Sequence, residues 1–388
     1  MQMKPVAAGK GPITLLSFGH AFVDIYQGSV AALVPYFVLE REYTYAAAGV
    51  IVLAGSLASS LVQPLFGVLV DRWPMRWVMP VSTIVAGVGV GFVGVSDAYW
   101  FTLLVVGLSG AGVAAYHPAA AGAARAASAS SHTGMSWFSL GGNVGFSVAP
   151  LMVISVMAAG GLQASPLLAI PALLGAALCV AALRGTPKSS RMTAIERASL
   201  GTNDWSSFLK LSAAIVCRSI VFVSLSAFIA LYVVQRVDVG SVGGILALFV
   251  LYLGGAFGTI LGGRLANRWQ RVTIVRWSYI LTIFAVAGIV FVPGPAIYVF
   301  VAVTSIGLYV PFSLHITLGQ DYLRRRVGTA SGVTLGLTVS VGGLVSPLIG
   351  VIADASTLQF ALAPLIVFPA IAWAFLRTLK EPALPGAH

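Results

Sequence analysis

The chain has 388 residues, of which 58% are hydrophobic and 9% charged, and its mean hydropathy is +0.96. Soluble domains carry about 25% charged residues, so this composition excludes a water-facing globular enzyme and a disordered chain. The net charge of +11 does not mark a nucleic-acid binder, because the cations sit in short gaps between apolar runs instead of forming a patch.

Twelve apolar runs follow in chain order: 13–39, 46–70, 77–96, 99–121, 134–158, 165–183, 207–234, 241–263, 272–292, 296–318, 328–352 and 358–377. A bilayer core of about 30 Å needs about 20 apolar residues per helix. Barrel strands would be about ten residues of alternating polarity, so all twelve runs predict membrane helices. Met1–Lys10 is basic, but the next run is long and holds His20 and Asp24; an anchored first helix is expected, not a cleaved signal. Cys179 and Cys217 both lie inside apolar runs, with no disulfide framework and no metal-ligand spacing.

With the N-terminus inside, 19 Lys and Arg fall on the inner side, Arg41 and Arg236 fall outside, and Arg218 lies within a helix. That bias predicts a multi-pass membrane protein with both termini in the cytoplasm. The longest gap, Arg184–Ser206, is polar and basic. It predicts two six-helix bundles, 1–183 and 207–388, joined by a cytoplasmic linker, 184–206.

The halves repeat weakly. Span 2 ends in Gly67-Val-Leu-Val-Asp71-Arg72-Trp73-Pro-Met-Arg76, and span 8 ends in Gly263-Arg-Leu-Ala-Asn267-Arg268-Trp269-Gln-Arg271. Gly141-Gly142-Asn143 then Pro150 in span 5 parallels Gly342-Gly343 then Pro347 in span 11. Internal repeats mark secondary transporters, whose site lies near the midplane between them. Glycine ladders (Gly141 and Gly145; Gly254, Gly258 and Gly262; Gly328, Gly332 and Gly336) permit close helix packing and are compatible with an interface between sliding halves.

Ionisable groups at membrane depth are costly and point to function. Five stand out: His20, Asp24, His117, Arg218 and His315. His20 and Asp24 share a helix face at i, i+4, and such a pair can take and release a proton. Arg218 cannot lose its charge and needs an anion, either Asp24 or an acidic group on a substrate. His117, before Pro118, and His315 can bind substrate or relay protons. Phe22, Tyr26, Gln27, Tyr116 and Asn143 are expected to complete the pocket. Asp71, with Arg72, Arg76 and Arg268, is expected to gate the inner side by pairing at helix ends. No H-E-x-x-H and no nucleophile with its base appears, so neither an enzyme nor a cofactor or metal is expected.

The Gly67–Arg76 loop resembles that of the major facilitator superfamily. His20-x-x-x-Asp24, Leu57 through Gln63-Pro64, Asp71 through Met75, His117-Pro118, Gly141-Gly142-Asn143-x-Gly145 and Gly350-x-Ile-Ala-Asp354 together resemble the fosmidomycin-resistance exporters of that superfamily. Two features depart from the pattern: Ala119 stands where an acid often follows His-Pro, and Leu103–Gly107 lacks the early span 4 arginine of many drug/proton antiporters. The resemblance implies the two-bundle fold, spans 1, 4, 7 and 10 around a central cavity, and export of drug-like or phosphonate-type molecules. The expected partners are a small-molecule substrate, protons and lipid, without nucleic acid, for a chain working as a monomer. A proton-coupled uptake symporter for organic anions or sugars is the alternative.

Overall fold

The computed structural model describes residues 10–72, 75–128, 132–186, 202–237 and 239–382. Among these the chain is helical, without a strand. The helices are α1 (Lys10–Glu40), α2 (Tyr45–Arg72), α3 (Val78–Gly91), α4 (Tyr99–Ala127), α5 (His132–Gly160), α6 (Ile170–Gly185), α7 (Trp205–Val237), α8 (Gly240–Ala266), α9 (Arg271–Phe291), α10 (Ile297–Tyr322), α11 (Val327–Ala355), α12 (Leu358–Leu362) and α13 (Val367–Leu376). Tight 3-10 segments, Gly161–Ala169 and Ala363–Ile366, precede α6 and join α12 to α13.

Nine helical stretches among the described residues are long and apolar enough to cross a bilayer. One of them, Gly134–Gly185, holds the predicted spans 5 and 6, while spans 2 and 3 contain the shorter apolar helices Tyr45–Ala58 and Val78–Gly91. Span 3 is shorter than the sequence suggests. Its helix stops at Gly91 because the next residues form a turn, in which the Gly94 N–H donates to Ser165 Oγ (2.9 Å). Most of the expected linker, 187–201, lies outside the described residues.

Contacts divide the chain into two compact units, Met1–Val30 with Leu61–Arg191 and Ala31–Ser60 with Met192–His388. The division therefore cuts through α1 and α2 as well as the linker. In the first unit α5 packs directly on α1: Gly141 lies against the backbone of Ser17, and Gly145 against that of Ala21. In the second unit Gly342 of α11 meets the backbone of Ser219 in α7 in the same way, and its N–H donates to Ser219 Oγ (3.0 Å). The Gly254, Gly258 and Gly262 ladder seats α8 on Ser305, Tyr309 and Val310 of α10, inside one unit, whereas Gly332 and Gly336 face open space. The ladders thus meet different surroundings, and Gly328 lies outside the residues whose side chains are described.

Each unit ties down its last helix with an arginine. Arg76 donates from Nη1 to the Leu183 carbonyl (3.0 Å) and from Nη2 to that of Thr186 (2.9 Å), at the end of α6. Arg276 donates from Nε to Leu376 (2.9 Å) and from Nη2 to Arg377 (3.1 Å) and Leu379 (2.6 Å), at the end of α13. A cation at a helix C-terminus satisfies the orphan carbonyls and the dipole together. The second unit also anchors α2: Asp354, at the end of α11, accepts from the N–H groups of Tyr45 (2.8 Å) and Ala46 (2.9 Å).

Candidate functional site

In the first unit α1, α4 and α5 assemble a buried cluster. His20 and Asp24 stack one turn apart on α1, with Nε2 to Oδ2 at 3.2 Å. α4 brings His117 to the other carboxylate oxygen, Nε2 to Oδ1 at 3.3 Å, and the two Nε2 atoms lie 3.4 Å apart. His20 Nδ1 faces the Phe138 carbonyl (2.8 Å) and His117 Nδ1 faces that of Val113 (2.7 Å). A carbonyl only accepts, so each Nδ1 carries the hydrogen. In neutral histidines both Nε2 atoms then present lone pairs to a carboxylate. Three acceptors so close together need a shared cation, and protons on the imidazoles are the simplest supply.

The walls of the cluster are aromatic. Phe138 stacks on the His20 ring (centroids 4.2 Å apart) and Tyr116 lies 6.1 Å away on α4. Gly142 of α5 leaves the room: a Cβ there would run into Asp24 Oδ2 and the His20 ring. Phe138 and Gly142 were not singled out by the sequence as site residues, although they lie at i, i+4 on the face of α5 that Gly145 continues. Asn143 is buried beside this face, and Gln27 is half-buried one turn past Asp24. Phe22 and Tyr26 do not join the cluster. Residues two positions apart on a helix point to nearly opposite sides, and these two pack against Gly175 of α6 and Gly87 of α3.

In the second unit Arg218 is 1% exposed, yet no carboxylate of that unit pairs with it among the described residues. Its Nε donates to the Leu308 carbonyl, and Nη1 has no hydrogen-bond partner. The guanidinium carbon lies 5.5 Å from the Phe222 ring, 5.3 Å from Tyr309 and 5.2 Å from Phe312. Phe222 stands four residues from Arg218, on its own face of α7. Three ring contacts contribute about 0.5–2 kcal/mol each, but they supply no counter-charge. His315, also buried, stacks on Tyr279 at 6.0 Å, and its Nε2 is unpartnered. The side chains of Asp71 and Arg72 lie outside the described residues, and Arg268 is exposed at the end of α8.

A helical membrane chain with weakly repeated halves, an enclosed acid in one and an enclosed cation in the other, has the build of a secondary transporter. The Major Facilitator Superfamily model matches residues 16–384, and the chain belongs to that superfamily. It is accordingly a membrane transporter, not an enzyme. It is 26% identical over 359 residues to the fosmidomycin resistance protein of Escherichia coli (strain K12), covering 90% of this chain and 88% of that one. It is 24% identical over 374 residues to the uncharacterized MFS-type transporter YfnC of Bacillus subtilis (strain 168), covering 92% and 90%. Among solved structures, the fold is similar to a bacterial homolog of the human lysosomal transporter Spinster, in an inward-facing and unoccupied conformation, with a TM-score of 0.80, 17% identity and coverage of 97% and 98%.

Proposed function

We propose that the protein is a proton-coupled exporter of small drug-like or anionic, phosphonate-type molecules, resident in the inner membrane of a bacterium with both termini in the cytoplasm. Asp24, with His20, carries the proton. Arg218 binds the acidic group of the cargo; His117, His315, Gln27, Tyr116 and Asn143 bind the rest. The halves 1–183 and 207–388 rock about the 184–206 linker as a monomer, and Asp71, Arg72, Arg76 and Arg268 gate the inner side. Protons are the coupling partner.

The carrying observation is the enclosed carboxylate of Asp24 with two imidazoles on its oxygens. A buried acid that can be neutralised reversibly is what coupling to a proton gradient requires. The unpartnered Nη1 of Arg218 supports an anionic cargo, since a permanent buried charge without an anion is costly. The name of the Escherichia coli relative supports export of a drug.

The test is transport in inside-out vesicles with an imposed pH gradient. Asp24→Asn should insert normally and lose gradient-driven transport. Full gradient-driven transport by that variant would falsify the proton role. The direction of cargo movement in the same vesicles separates export from uptake.

A further inference from the structure

We propose that His20, Asp24 and His117 also form a binding site for a divalent first-row transition metal of the zinc class, and that the ion takes the place of the protons and halts transport. Only the effect on transport rests on the proton-coupling reading above; the binding rests on the geometry of the three side chains. His20 Nε2 stands 3.2 Å from Asp24 Oδ2, His117 Nε2 stands 3.3 Å from Asp24 Oδ1, and the two Nε2 atoms lie 3.4 Å apart, so the imidazoles address different oxygens of one carboxylate. One ligand atom from each residue lies within 4.8 Å of the others. Nitrogen and oxygen ligands about 2.0–2.2 Å from a tetrahedral ion stand about 3.3–3.5 Å from one another. Each of the three separations has that size before any ion enters, and the carboxylate can bind through either oxygen or both.

The orientation matches as well. Both Nδ1–H groups are held by backbone carbonyls, of Phe138 and Val113, which aims each Nε2 lone pair at the carboxylate. This outer hydrogen bond is the habit of metal-binding histidines, where it fixes the tautomer and ring angle. Asp24 Oδ1 has no aligned hydrogen-bond donor although it is buried. Two imidazoles with one carboxylate suit zinc, cobalt, nickel, copper or iron, while magnesium and calcium demand oxygen cages. The His117 side chain is 26% exposed, against 10% for His20 and 7% for Asp24, so the cluster has one open edge. Three protein ligands leave a further coordination position for water or a cargo atom.

The probes are zinc, by calorimetry on tag-free purified transporter, and cobalt, whose visible d–d absorption reports coordination. The wild type should bind one zinc per chain, and zinc should inhibit transport in vesicles. His117→Ala should weaken binding by at least about tenfold, since even loss of an outer hydrogen bond costs 10–100-fold. His117→Gln, which keeps a polar side chain and is used once shown to be monodisperse, separates ligand loss from misfolding. The absence of saturable binding, or binding unchanged in both His117 variants, overturns the site. Wild-type protein that responds to a pH gradient but binds no zinc overturns the site alone. Protein that binds zinc at the triad but ignores a pH gradient upholds the site and overturns the proton reading.

Discussion

Asp354 offers the most direct test of how the proposed halves move. Its carboxylate accepts two backbone N–H groups from the first turn of α2, at 2.8 and 2.9 Å. Beside it, Gly350 lies against the Tyr45 carbonyl, Gly49 against Ser346 and Pro347, and Gly343 against Ser56. The charge bias predicts that these helix ends lie on the outer side. α2 belongs to one proposed half and α11 to the other, so the contact must break whenever the outer side opens. A carboxylate on the first turn of a helix contributes about 0.5–2 kcal/mol, and exposure keeps this pair within that range. Loss of about 1–2 kcal/mol shifts a two-state ratio by about 5–30-fold. Asp354→Ala should therefore open the outer side by that factor, and Asp354→Glu should restore part of the seal. A reporter cysteine at Ser56, which is 7% exposed, reads the opening through its rate of labelling by a membrane-impermeant thiol reagent. The buried Cys179 and Cys217 are replaced first. An unchanged labelling rate in Asp354→Ala would refute the idea that this contact seals the outer side.

Two further outcomes follow from the packing. Gly142→Ala should displace Asp24 or His20, because the new Cβ would stand 2.7 Å from His20 Cε1 and 2.9 Å from His20 Nε2. Overpacking of that kind costs about 1–3 kcal/mol, and vesicle assays should show gradient-driven transport falling while Gly263→Ala, which faces open space, leaves it intact. Asp204→Ala should lower the thermal midpoint of the protein. Asp204 Oδ1 accepts from the Ser207 N–H (3.0 Å), capping α7, and hydrogen bonds from Ser207 hold its carboxyl below the ordinary carboxylate value. A depressed folded-state value stabilises the protein above the unfolded carboxyl's value of about 4. The contribution disappears as pH falls through the folded value. The gap between wild type and Asp204→Ala should therefore close on acidification.

Much of this was legible because helices impose a period. Apolar runs gave the spans, and an i, i+4 spacing joined His20 to Asp24. What the period also implied, and the sequence reading passed over, is that Phe22 and Tyr26 face the other way. His117 is a different case: it lies 93 residues from Asp24, and only the packing of α4 on α1 brings the two together. The division of contacts inside α1 and α2 was not legible either. Both helices run on without a break in composition, because lipid selects the same apolar residues whichever unit a stretch packs against.

The two units handle a buried charge in opposite ways, and the contrast bears on which group meets the cargo. Asp24 is supplied from within, since two imidazoles reach its oxygens and a change in proton number can discharge the whole cluster. Arg218 has rings and one carbonyl around it, and a guanidinium cannot discharge. A structural arginine would be expected to own a resident carboxylate, because leaving a buried charge without one costs about 3–5 kcal/mol. A group that keeps Nη1 unpartnered at that cost is better matched to an anion that arrives and leaves. Under the proposed exporter reading, Arg218 of the second unit would take the cargo's acid group and Asp24 of the first unit the proton.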